Sequence, residues 1–86
     1  MKWTVIVTRD ARRDLESVPM HVAVRARKAI DLLAANPRPH GARKLRGRPD
    51  AAWRIRVGDW RMVYAIDEQL RTVYVHSIDH RGSVYR

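Results

Sequence analysis

The sequence predicts an α+β domain: an antiparallel sheet of four to five strands with two N-terminal helices packed on one face, in the order β α α β β β β. Three observations predict it. A β-branched run stands at the N-terminus, two stretches with helical spacing of apolar residues lie between Thr8 and Asn36, and the C-terminal half breaks into short runs punctuated by Gly, Pro and Asp. With 86 residues and neither repeat nor linker, positions 1–86 make a single domain. A chain of that length buries only roughly 60% of its unfolded surface.

The elements follow in order. "KWTVIVT", residues 2 to 8, is rich in β-branched side chains and reads as the first strand. Thr8 is placed to cap a short helix running to about Val18, with Ala11, Leu15 and Val18 on its buried stripe. Pro19 suits the first turn of a second helix. There Val22, Ala26, Ala29, Ile30 and Leu33 line one side, while Arg25, Arg27, Lys28 and Asp31 face outward. Asn36 before Pro37 ends this helix. "PRPHGARKLRGRPD" is broken by Pro and Gly and holds one short strand near Arg43 to Arg46. Three more strands are expected at 52–57, 60–66 and 72–79.

"AAWRIRVGDWRMVYAI" is the most informative stretch. If Gly58 and Asp59 form a two-residue turn with Gly first, as a type II′ turn prefers, the hairpin register is set. Val57 then faces Trp60, Arg56 faces Arg61, Ile55 faces Met62, Arg54 faces Val63 and Trp53 faces Tyr64. The apolar members share one face, the side for the helices to cover. The other face gathers Arg54, Arg56 and Arg61. Like charges so placed cost from a few tenths to about 1 kcal/mol, a cost that a bound anion reverses. The alternative is a solvated face whose long side chains splay apart.

Charge points the same way. Eighteen Lys and Arg against nine Asp and Glu give +9, so a polyanionic partner is expected, either nucleic acid or an acidic protein. The arginine-rich balance favours phosphate, which the guanidinium fork binds bidentately. A membrane surface fits less well, because the helices lack bulky aromatic anchors. The N-terminal apolar run of about five residues is far short of a signal-peptide core or a membrane span, and cysteine is absent, so a cytoplasmic location is expected.

"ARKLRGRPDAAWRIRVGDWRMVYAI" followed by "VYVHSIDHRGSVYR" resembles the RelE-type toxins of the RelE/ParE toxin–antitoxin superfamily, the likeness extending over nearly the whole chain. Its most specific parts are "KLRG", "RIRVGDWRMVY" and the terminal "HRGSVYR". The resemblance implies a RelE-like fold and a ribonuclease that enters the ribosomal A site, cuts bound mRNA and is neutralised by a cognate antitoxin. Cleavage of that kind uses the RNA 2′-hydroxyl as nucleophile and needs no metal or cofactor. Arg61 and Arg81 fall on family positions that stabilise the phosphate, and Tyr85 matches the family's C-terminal tyrosine, a candidate for stacking a base or for proton transfer. Arg54 and Arg56 fall where the best-known member carries lysines.

That departure has a chemical consequence. Arginine, with a pKa above about 12, stabilises charge but hardly abstracts a proton. His80, beside Arg81, is therefore a candidate proton shuttle, because an imidazole titrates near neutrality. His76, in mid-strand, is the weaker candidate; His21 and His40 lie at a helix start and in a loop, and no spacing among the four suggests a zinc site. Lys44, Arg46 and Arg48 are expected to grip RNA backbone. Arg12, Arg13 and the cations of the second helix are expected to be solvated, and Trp3, Trp53 and Trp60 to belong to the core. Two alternatives stand beside the ribosome-dependent endoribonuclease: a ParE-like inhibitor of DNA gyrase, and a catalytically silent RNA- or antitoxin-binding module.

Overall fold

A computed structural model describes residues 2–46 and 52–80. Its elements are β1 (Thr4–Val7), α1 (Arg9–Ser17), α2 (Met20–Ala35), β2 (Arg43–Lys44), β3 (Ala52–Val57), β4 (Trp60–Asp67) and β5 (Thr72–His80). The strands form one sheet in the order β1-β5-β4-β3-β2. The predicted α+β order holds, with one difference. β1 pairs with β5 in parallel, Val5 opposite Val73 and Val7 opposite Val75, so the sheet is mixed. Residue patterning specifies the buried face of a strand but not the direction in which it meets a neighbour far along the chain.

Local chemistry sets the helices. The Thr8 hydroxyl accepts a hydrogen bond from the Ala11 amide and so caps α1, as predicted. Val18 ends that helix, and Pro19 precedes α2 as its cap, its carbonyl accepting from the amides of Val22 and Ala23. Asn36 closes α2 through its amide to the Leu32 carbonyl.

Both helices lie on one face of the sheet. Ala11, Val18, Val22, Ala23, Ala26, Ala29 and Leu33 bury against Val57, Met62, Tyr64, Ile66, Val73, Val75 and Ile78. The three tryptophans, expected in the core, pack against it but are only half-buried at its margin. The helix residues are small, so the sheet contributes the bulk and the backbones approach closely. No helix among the described residues is long and apolar enough to cross a membrane.

Candidate active site: an arginine face on the open side of the sheet

The β3–β4 hairpin has the register predicted from its turn, with Val57 opposite Trp60, Arg56 opposite Arg61, Ile55 opposite Met62, Arg54 opposite Val63 and Trp53 opposite Tyr64. Gly58 has φ +64, whereas Asp59 has none of the positive φ that a type I′ turn needs. The pattern is that of a type II′ turn. Met62 and Tyr64 point into the helix-covered core, which leaves Arg54, Arg56 and Arg61 together on the opposite face. Arg54 and Arg61 are half-buried and Arg56 is exposed.

Two neighbouring strands extend this face. On β2, Arg43 lies opposite Arg54 and joins the cluster, while Lys44 lies opposite Trp53 and belongs to the other face. Arg46 is exposed in the turn that follows β2. Within this strand it is therefore Arg43, and not Lys44, that shares a face with Arg54. Alternation would have identified Arg43 had the β2–β3 register been readable. The segment between them gives no such reading, because its length and turn residues do not define a hairpin. Arg48, Arg81 and Tyr85 lie outside the described residues.

On β5 a bulge decides which residues reach the arginines. Val63 lies opposite Ser77 and Tyr64 opposite Val75, so His76 is an extra residue on the β5 side. Its carbonyl accepts a hydrogen bond from the Thr8 hydroxyl at 3.3 Å. Strict alternation from Val75 would have turned His80 toward the arginines. The inserted residue inverts the parity beyond it. Ile78 becomes buried opposite Met62, Asp79 comes to lie opposite Arg61, and His80 comes to lie opposite Trp60. His80 is thus on the helix side, its ring meeting the Trp60 ring edge-on at 5.0 Å. The proposed shuttle and the arginine cluster are on different faces. Asp79, absent from the sequence-based candidates, sits among the cations, and one of its carboxylate oxygens accepts from the Ser77 hydroxyl at 2.8 Å. A carboxylate there offsets part of the repulsion between Arg56 and Arg61.

A cleft of about 480 Å³ opens at the β2–β3 end of this face, lined by His40, Gly41, Arg43, Arg54, Ile55 and Arg56. His40, in a loop by its sequence and given no role from it, thus stands beside the arginines. The loop that carries it is tied down from several sides. Asn36 Oδ1 accepts from the Arg38 amide at 3.0 Å, and the buried Tyr64 hydroxyl donates to the Pro37 carbonyl at 2.8 Å. The Arg38 guanidinium lies 5.3 Å from the centroid of the Trp53 ring and pairs with Glu68. Burial pushes the Tyr64 phenol up to about 12, with the Arg38 guanidinium acting in the opposite direction.

The arrangement can hold an anion with several guanidinium groups on a surface the helices leave open, which is the chemistry of binding a phosphodiester. Comparison with known proteins agrees with this architecture. Residues 5–85 match the family described as ParE toxin of type II toxin-antitoxin system, parDE. The chain is 34% identical over 87 residues to Toxin RelG of Mycobacterium tuberculosis, covering 100% of this chain and 99% of that protein. Among solved structures, the archaeal RelE–RelB complex from Pyrococcus horikoshii superposes with a TM-score of 0.83 at 25% identity, covering 98% of this chain and 100% of that one. The isolated RelE toxin of E. coli shares the fold, with a TM-score of 0.76 at 22% identity and coverage of 91% and 83%. A match from near the first strand to the last residues, carried by both sequence and fold, leaves one assignment: the chain belongs to the ParE toxin family of type II toxin–antitoxin systems, with RelE-type toxins among its relatives.

Proposed function

We propose that this toxin is a ribosome-dependent endoribonuclease that cuts mRNA in the ribosomal A site and so stops translation in the cytoplasm. The observation that carries this reading is the convergence of Arg43, Arg54, Arg56 and Arg61 on the sheet face opposite the helices. A cluster of cations placed at a stability cost suits a transition state in which a phosphate gains negative charge. In the reaction the RNA 2′-hydroxyl attacks the adjacent phosphorus, the arginines hold the phosphoryl oxygens, and the 5′-oxygen leaves. Arg61 is assigned to the phosphate with Arg54 and Arg56 beside it; Arg81 and Tyr85 are assigned to the same site by their family positions. Arg46 and Arg48, with Arg43, are assigned to the flanking RNA backbone.

A cognate antitoxin is the second partner. Solved neighbours include RelE–RelB complexes, and a surface of net charge +9 favours an antitoxin that is acidic at the contact. The family description names ParE, which favours gyrase inhibition as the second reading. Gyrase inhibition gives no account of arginines crowded on one face, so it ranks below cleavage.

The test is induction in bacteria with mapping of mRNA 5′ ends on ribosomes. Codon-phased cuts are expected, and Arg61→Ala and Arg81→Ala should each lower cleavage by 10²- to 10³-fold, equivalent to roughly 2.7–4 kcal/mol per lost donor. Growth arrest with intact messages and DNA damage would overturn the proposal in favour of gyrase; arrest with neither would leave a binding module.

A further inference from the structure

Among the described residues, the arginines of this face stabilise charge but cannot take a proton, and the carboxylate on the face, Asp79, lies opposite Arg61, away from the cleft. Guanidinium groups accept none at neutral pH, and the bulge in β5 turns His80 to the other side of the sheet. We propose that His40 is the proton acceptor of this site, its imidazole taking the 2′-hydroxyl proton of RNA bound in the cleft beside Arg43, Arg54 and Arg56. The proposal rests on the endoribonuclease reading and names the base that reading needs.

Position is the first argument. His40 lines the same cleft of about 480 Å³ as three of the clustered arginines, a space of the size that small ligands occupy. Among the residues that line it, His40 carries a ring nitrogen able to accept a proton, which the guanidinium groups of Arg43, Arg54 and Arg56 cannot do.

Preorganisation is the second. The Ala42 amide donates to the Pro39 carbonyl at 3.0 Å, and Gly41 has φ +95, so residues 39–42 have the pattern of a type II turn with His40 at its first central position. No atom lies within 4 Å of where a Gly41 Cβ would stand, so the backbone angle rather than space calls for glycine. Upstream, the Tyr64–Pro37 hydrogen bond joins this loop to the buried core, and the Arg38 contacts with Trp53 and Glu68 join it to the sheet and to the turn after β4. A base held on so restrained a loop loses little entropy when substrate arrives. His40 itself is exposed, so its proton can pass to solvent after each turnover.

The charged groups around it are Arg43 on β2 and Arg54 and Arg56 on β3, with Arg61 and Asp79 farther along the same face on β4 and β5. Asp79 is not among the lining residues of the cleft. The O2′–H proton moves to the unprotonated imidazole nitrogen, the O2′–P bond forms, and the P–O5′ bond breaks. The departing 5′-oxygen takes a proton from solvent water. The products are a 2′,3′-cyclic phosphate and a 5′-hydroxyl end, and the imidazolium returns its proton to the hydroxide left in solvent.

The experiment is single-turnover cleavage on ribosomes programmed with a defined mRNA, from pH 5.5 to 8.5, for the wild type, His40→Ala, His40→Gln and Asp79→Asn. Wild-type rate should rise with pH as the base is freed of its proton. Both His40 variants should lose roughly 10²- to 10⁴-fold at pH 7.5 and lose that rise, while half-saturation by ribosomes stays within about twofold. Added imidazole should partly restore His40→Ala. Thermal melting within about 2 °C of wild type excludes a folding defect, given the exposed turn. His40 variants within about threefold of wild type with an unchanged pH profile would overturn the proposal and leave the nuclease reading intact. Disappearance of the rise in Asp79→Asn, with its persistence in the His40 variants, would overturn it in favour of the carboxylate. A wild type that leaves mRNA uncut would overturn the nuclease reading and this proposal with it.

Discussion

Tyr64 shows how much one side chain carries here. Its ring is fully buried among the core residues, yet its hydroxyl reaches the Pro37 carbonyl and so ties the His40 loop to the sheet. Removing the hydroxyl leaves a buried carbonyl without its donor, so Tyr64→Phe should cost roughly 1–3 kcal/mol. The same phenol makes stability pH-dependent. With the folded value raised from 10.0 to about 12, the contribution is fully present below pH 10 and is lost as pH rises from 10 toward 12. Denaturant unfolding of wild type and Tyr64→Phe between pH 8 and 12 checks this. The stability difference should shrink by up to about 2–3 kcal/mol across that window.

At the scale of elements, the β3–β4 hairpin was legible because a two-residue turn leaves one register, and alternation then assigns every side chain a face. Gly58 bears that assignment. A Cβ there would meet φ +64 and, at 3.2 Å, Nη1 of Arg25 on α2. Gly58→Ala should therefore cost about 1–2 kcal/mol, read as a fall of several degrees in melting temperature, and Gly58→Asn should cost less. β5 was not legible in the same way. Its one-residue bulge leaves no mark in composition, and it exchanges His80 for Asp79 on the arginine face. The placement of Arg43 on the arginine face and of Lys44 on the other was illegible for a related reason, since a strand of two residues has too little pattern to declare its register. Nothing in the sequence brings His40 to the arginines; its loop, tied through Pro37 and Arg38 to Tyr64, Trp53 and Glu68, lies beside them in the fold.

For the whole molecule, the excess of cations is not uniform in effect. Arginines on the open sheet face are set close together by pairing, while Arg27 and Lys28 on α2 stand on the opposite side of the domain in solvent. Binding to a short single-stranded RNA should weaken with salt, and each phosphate contact should add about 0.7 to the slope of log affinity against log salt. Arg56→Ala should lower that slope by about 0.7, and Lys28→Ala should leave it unchanged. Fluorescence anisotropy at several salt concentrations checks both. An equal effect of the two substitutions would mean that binding follows net charge rather than the arranged face.

The sequence by itself determined the element order, the Thr8 cap, the hairpin register and the concentration of positive charge, because each depends on composition or on contacts between residues close along the chain. Tertiary structure decided the parallel docking of β1 on β5, the parity change at His76, the entry of Arg43 and Asp79 onto the arginine face, and the seating of His40 in its cleft. Those outcomes depend on how distant segments align. A shift of one residue there turns a side chain to the other face while leaving local propensity and composition unchanged.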